Sequence, residues 1–436
     1  MVFLRIAVIG AGLTGLTAAY CLAKQGQNAD LFDKEGYIGG LASAVKADGE
    51  YLERFYHHIF VSDTDLLELS RELGIDHKIK WYEPENGIYI DDRLWPFTSP
   101  LDLLRFRPVG FISRIRMGLL VLSSKFINDY KAFETVTAKD WIVKRAGKEC
   151  YEKVWGPLLS SKFDIDAESV SGTWIWNKFK LRGSSRGKNI SRERLGYMEG
   201  SFAVLINKLA DSIKEYNGSI KLSEPVCRLK QAPSGRWEVS TSEGRYEYDR
   251  VLFTAAPPLL SDICPDLPED YKTKLKNIKH KANICLILEL NKPLSPYYWI
   301  TVSQKDIPFV LIIEHTNLVD AENYGSNVVY LSRYTDADDS LYNKPDEEII
   351  RLFTEGLKKV FPDFREEYIK GARLNRARYA QPVITTNYRD KIPGIETPKS
   401  GLYLASMAQI HPEDRGLNYS VRLAKTASSL MLGGGL

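Results

Sequence analysis

The first forty residues constrain the fold more than any other stretch of the chain. Arg5-Ile6-Ala7-Val8-Ile9 reads as a buried strand, and Gly10-Ala11-Gly12-Leu13-Thr14-Gly15 as a turn into a helix. Ala18, Ala19, Leu22 and Ala23 form the apolar face of that helix. A second strand, Ala29 to Phe32, runs into Asp33 and Lys34. Strand, glycine turn, helix and strand in this register make the fingerprint of a dinucleotide site. Gly10 permits the tight turn, Gly12 lets the backbone approach a pyrophosphate, and Gly15 lets the helix pack close to the strand. The helix start at Leu13 and Thr14 offers free N–H groups and a positive dipole end to phosphates. Asp33 lies 23 residues past Gly10, where a carboxylate can accept from ribose hydroxyls.

The following residues narrow the cofactor. Gly39-Gly40-Leu41-Ala42 places a second glycine-permitted approach just past the ribose acid. A nicotinamide nucleotide does not need one, whereas FAD is longer and runs past this point. With these residues the chain resembles the FAD-dependent amine oxidase-like superfamily, whose branches include the protoporphyrinogen oxidases, the phytoene desaturases and, more distantly, the UDP-galactopyranose mutases. The resemblance implies an α/β fold: a Rossmann-like FAD-binding domain interleaved with an α+β substrate domain. The expected FAD-binding segments are 1–80, 196–282 and 378–436, with substrate-domain segments 81–195, mostly helical, and 283–377, sheet and helix. It also implies that Val226 meets the adenine through its backbone and that the strand ending at Ala256 returns to the cofactor. At the C-terminal end, a strand to Ser406 and a helix opening at Gly416-Leu417-Asn418 would pass the flavin, with Arg415 beside it. The acidic residue usual at that strand end is absent; Ser406 and Met407 stand there.

A chain of 436 residues holds two such domains. Its net charge of +3 points to no polyanion partner, so nucleic acid is not expected. Five scattered cysteines show no metal-ligand spacing and suit a reducing compartment. No apolar run is long enough to cross a membrane, and a cytoplasmic protein is expected. Leu101 to Phe126 carries Arg105, Arg107, Arg114 and Arg116 among Leu, Phe and Ile. It is a candidate for peripheral membrane contact, as in protoporphyrinogen oxidases; covering a domain core is the alternative.

Flavin chemistry needs few catalytic side chains. Tyr51 to Phe60 reads as an alternating strand, so His57 and His58 point to opposite faces. His58-Ile59-Phe60 is similar to the His-x-Phe segment facing the flavin in UDP-galactopyranose mutases, which favours His58 as the proton-handling residue; a core histidine is the alternative. Arg54 shares the His58 face and would pair an anionic substrate or the flavin, or else Glu53 or Glu50. Lys162, within an apolar segment similar to one bordering the desaturase cavity, and Arg182, within the basic run Lys178 to Arg194, would bind an anionic substrate with Arg378 and Tyr379. Two functions fit: an FAD-dependent oxidoreductase removing hydride from a carbon of an organic, anionic small molecule, or a redox-neutral flavin mutase acting on a nucleotide sugar.

Overall fold

The computed structural model describes residues 3–47, 49–184 and 193–434, and for 182–184 the backbone only. Five strands form a fully parallel sheet in the order Ser219–Lys221, Asn28–Phe32, Arg5–Ile9, Arg250–Phe253, Leu402–Leu404. Parallel pairing brings all carboxyl ends to one edge, where ligands of such sheets bind. The three inner strands are buried nearly throughout, as cover on both faces requires. The helix Leu13–Lys24 leaves this edge directly after Gly12, and the helix Leu417–Met431 packs alongside it. Small residues make that approach close: Ala18 and Ala19 share a core with Val421, Ala424 and Ala427.

A second sheet of seven strands runs Ile369–Pro382, His280–Leu290, Asn327–Thr335, Leu311–Glu314, Trp299–Val302, Asn86–Ile90, Arg93–Pro96. It is antiparallel except where Trp299–Val302 meets Asn86–Ile90. The helix Asp346–Val360 covers one face through Ile349, Phe353 and Leu357. The helices between Pro100 and Ser184 enclose a separate core rich in tryptophan, with Trp141, Trp155, Trp174 and Trp176 buried. The expected divisions at 282/283 and 377/378 fall inside the strands His280–Leu290 and Ile369–Pro382.

One local expectation is corrected. Tyr51 to Phe60 is not one strand: Tyr51–Glu53 and Ile59–Phe60 are separated by a bend. The bend closes on itself, because His57 Nδ1 lies 2.6 Å from the Phe55 carbonyl, so alternation fails to place the two histidines. The chain at Trp155-Gly156-Pro157 keeps a helical path. A π-helical turn at Tyr151–Trp155 runs into the helix Gly156–Phe163, where Pro157 occupies the first turn and needs no N–H partner.

Candidate active site

A groove of about 240 Å³ runs along the carboxyl edge of the parallel sheet. Gly10, Gly12, Leu13, Thr14, Asp33, Gly39, Gly40, Leu41 and Ala42 line it from the N-terminal segment. Thr254, Ala255 and Ala256 line it from the middle segment, and Tyr379, Ser406, Met407 and Arg415 to Leu417 from the C-terminal one. The glycines fit a nucleotide cradle. A Cβ on Gly15 would sit 1.8 Å from the Gly10 carbonyl oxygen, so the turn and helix close only on glycine. A Cβ on Gly12 would meet nothing within 4 Å, which is open space at the helix N-terminus where a pyrophosphate would lie. The Asp33 carboxylate is held at the groove: Oδ2 accepts from Ala11 N–H at 2.6 Å and Oδ1 from Glu35 N–H at 2.9 Å. Burial pushes its carboxyl up, against the pull of those two N–H groups.

A second cavity of about 250 Å³ adjoins the groove. Leu41, His57, Arg415, Gly416 and Leu417 line both spaces, so they mark the junction where a ring system lying in the groove faces the cavity. The cavity walls are largely aromatic and aliphatic, with Phe55, Tyr56, Trp155, Leu158, Phe179 and Trp299 among them.

His57 stands at the junction, while His58 lines only the larger cavity. A carbonyl can only accept, so His57 Nδ1 carries the ring proton toward Phe55 and Nε2 keeps a lone pair. Burial, helped by the nearby Arg415 charge, lowers the His57 pKa to about 4, and the ring is neutral near pH 7. His58 Nδ1 lies 3.4 Å from the Tyr298 hydroxyl.

At the cavity wall one buried carboxylate gathers cations. Asp414 Oδ2 meets Lys162 Nζ at 2.9 Å and Lys178 Nζ at 2.6 Å, and its Oδ1 accepts from Trp174 Nε1 at 2.9 Å. Burial alone would raise the Asp414 pKa, but Lys162, Lys178 and Arg415 hold it well below the usual carboxylate range. Gln381 links the group onward: its Nε2 reaches Asp414 Oδ1 at 3.3 Å, and its Oε1 accepts from Arg415 Nε at 2.8 Å. Arg415 also donates to the Tyr334 hydroxyl at 2.8 Å. Asp63 and Glu193 also line the cavity.

Of the expected cations whose side chains are described, Arg54, Lys162 and Arg378, only Lys162 lines the cavity. Arg54 bends away, stacks 4.4 Å over the Tyr37 ring and donates to Asn375 Oδ1 at 3.3 Å. It pairs with neither expected acid, since Glu53 is buried and accepts from the Tyr197 hydroxyl and Phe202 N–H. Arg378 points outward to Asp338, with 55 % of its side chain exposed, because strand alternation turns it opposite to the groove-lining Tyr379. The Arg182 side chain falls outside the described residues, as do residues 185–192 of the basic run. Lys34 pairs with Glu35 at the surface, Val226 lines neither space, and Gly15 lies beneath the turn rather than in the groove. Asn418 belongs to the cavity wall, where its Oδ1 caps Leu66 N–H at 3.0 Å. Sequence reasoning passed over Lys178, Asp414, Gln381 and Tyr334 as site residues. Lys178 was visible in the basic run, but the others carry no local signal.

The flavin-containing amine oxidoreductase family model matches residues 13–413. A probable zeta-carotene desaturase of Synechococcus elongatus is 22% identical over 295 residues, covering 60% of each chain. The mitochondrial protoporphyrinogen oxidase of Nicotiana tabacum is 29% identical over 190 residues, covering 41% of this chain and 37% of its own length. Those matches thus span less than two thirds of either relative. The crystal structure of a putative protoporphyrinogen oxidase from Exiguobacterium sp. 255-15 superposes with a TM-score of 0.78 at 19% identity, covering 99% of this chain and 100% of that one. The matched stretch holds nearly the whole chain, from the first helix to the residue before Asp414, and the chain belongs to the flavin-containing amine oxidoreductases, a family of FAD-dependent oxidoreductases.

Proposed function

We propose that the protein removes hydride from a carbon of an organic acid with an apolar body. The observation that carries this reading is the shared wall of groove and cavity: Leu41, His57, Arg415, Gly416 and Leu417 border both. FAD bound in the groove supplies the hydride acceptor. The chain's own residues then bind, orient and neutralise. The aromatic cavity wall excludes water from the substrate body. Lys162, Lys178 and Arg415 gather at Asp414 on the cavity wall, and donors of this kind suit an acidic substrate group at that end. Arg415 and the helix N-terminus at Leu417 put positive potential at the junction, where reduction adds negative charge. Neutral His57 offers Nε2 as a proton acceptor at the same place.

The nucleotide-sugar mutase reading is not favoured. Its support was the His58-Ile59-Phe60 segment and the basic run, yet in the described part of that run Lys178 turns to Asp414 and Lys180 to Asn128 and the Trp176 ring. The relatives matched include desaturases and oxidases.

The deciding experiment mixes the oxidised holoenzyme with candidate substrates without oxygen and follows flavin bleaching. Apolar carboxylic acids should bleach it, with an apparent Kd that rises with salt. Equal bleaching by neutral polyenes at any ionic strength would defeat the acidic-substrate reading.

A further inference from the structure

Three tryptophans among the described residues line the cavity, and they differ in what their indole N–H groups do. Trp174 Nε1 donates to Asp414 Oδ1 at 2.9 Å, and Trp299 Nε1 donates to Thr301 Oγ1 at 3.3 Å. Trp155 is only 8 % exposed, and its Nε1 is buried with no hydrogen-bond partner among the described residues. Asn418 repeats the pattern at 2 % exposure. Its Oδ1 is taken by Leu66 N–H, and its Nδ2 is buried without a partner. Among the described residues that line the cavity, these two are the buried side-chain polar atoms left unpaired, and both are donors. Folded proteins pair nearly all such groups, because a buried N–H without an acceptor loses its hydration for nothing.

The backbone aims Trp155 at this wall. Trp155 closes the π-helical turn Tyr151–Trp155. Such a turn is wider than an α-helical one, re-aims the side chains that follow, and recurs at functional sites. Gly156 permits it, since a Cβ there would lie 2.8 Å from the Tyr151 carbonyl oxygen. The Trp155 ring then meets the Phe179 ring at 4.6 Å and 66°, which holds its plane.

Chemistry and spacing define what the two donors take. Trp155, Leu158 and Lys162 line the cavity from one helix face, at intervals of three and four. The rise per residue puts Trp155 about 10 Å along the helix axis from Lys162. Lys162 belongs to the charged group around Asp414. An indole N–H and a carboxamide N–H are uncharged donors, so their complement is a neutral oxygen acceptor rather than a second carboxylate. We propose that the substrate carries carbonyl oxygens along its body, and that Trp155 and Asn418 select it by donating to them. A hydrocarbon chain of the same length would fill the cavity and leave both donors unpaired, which is how a site of this kind rejects an analogue lacking the oxygen. The inference deepens the oxidoreductase reading and rests on it in taking the cavity as the place of an acidic substrate.

The test titrates oxidised holoenzyme, without oxygen, with dodecanoic acid and with oxododecanoic acids whose ketone is stepped along the chain. The shift of the flavin band gives Kd, and its bleaching gives turnover. At one ketone position the oxo-acid should bind roughly tenfold more tightly than dodecanoic acid. Trp155→Phe keeps a ring against Phe179 and removes the N–H, and it should bring that ratio near one. Asn418→Asp keeps the oxygen that caps Leu66 and removes the Nδ2 donor, and it should lower the ratio at a second ketone position. Retained flavin absorbance shows that a variant is folded. Should a variant lose its flavin, wild-type protein with isotope-labelled tryptophan supplies the reading: one indole N–H resonance should move downfield with the oxo-acid and stay in place with dodecanoic acid. Equal affinity for all the acids, or a ratio that both variants leave intact, would overturn the proposal. A ketone preference without bleaching would uphold it and overturn the hydride-removal reading, so the two fail separately. No binding of any acid would overturn both.

Discussion

At the scale of single residues, the junction makes separable predictions. Gly12→Val adds atoms where a Cβ meets only open space, so the chain should fold yet purify without yellow colour. The measurement is the flavin absorbance band beside a normal circular dichroism spectrum. Gly15→Ala drives a methyl into the Gly10 carbonyl and should lower both folding yield and flavin content. His57→Ala should slow the flavin half-reaction roughly 100-fold with FAD retained, the usual scale for one proton-handling group. His58→Ala should slow it less, because His58 lines the larger cavity only. Stopped-flow reduction of the two variants decides this, and equal losses would remove His57 from its role. Asp414→Asn leaves Lys162 and Lys178 without their shared counter-charge, an arrangement that costs about 3 kcal/mol when largely buried. Urea denaturation reads that loss directly. The histidine pair also shows where sequence reading stops. Alternation along Tyr51 to Phe60 set the two histidines on opposite faces and the His-x-Phe resemblance favoured His58, but a bend between Glu53 and Ile59 removes the strand on which the opposition of faces stood.

At the scale of elements, the groove depends on two helices held together by small side chains. Ala424→Leu would force Leu417–Met431 away from Leu13–Lys24. Overpacking of this kind costs about 1–3 kcal/mol. It should also speed FAD release, because both helix starts line the groove. Tm and the rate of flavin dissociation measure the two effects. These helices were legible: the start at Gly12-Leu13 and the start at Gly416-Leu417 both follow an apolar strand and a glycine. The helix Phe111–Ser124 was legible only as amphipathic character. Both sides of that helix are apolar, and packing decided that Met117 and Leu120 face inward while Ile112 and Leu119 stay outside.

At the scale of the whole molecule, stability should fall on the acid side of neutrality. Burial lowers the pKa of His57 and His280 to about 4 and of His315 to about 3. Unfolded histidine titrates near 6.5, so between pH 6.5 and 4 the unfolded chain binds more protons than the folded one. Stability conferred by these neutral rings is full above about pH 6.5 and declines as pH falls toward 4. Thermal melts from pH 8 to pH 4 should show Tm dropping through that window, and a flat profile would contradict it. The amino-acid sequence by itself determined the first two strands of the parallel sheet, the glycine turn and helix between them and the cofactor class, because these rest on contacts within some forty residues and on backbone geometry that only glycine supplies. Tertiary structure alone decided which charges share a cavity. Lys162, Lys178, Gln381 and Asp414 lie in three distant stretches of chain, and nothing local records that one buried carboxylate draws them together. It also sent Arg54 and Arg378 elsewhere, since a bend and the alternation of a strand fix side-chain direction only once neighbouring elements have packed.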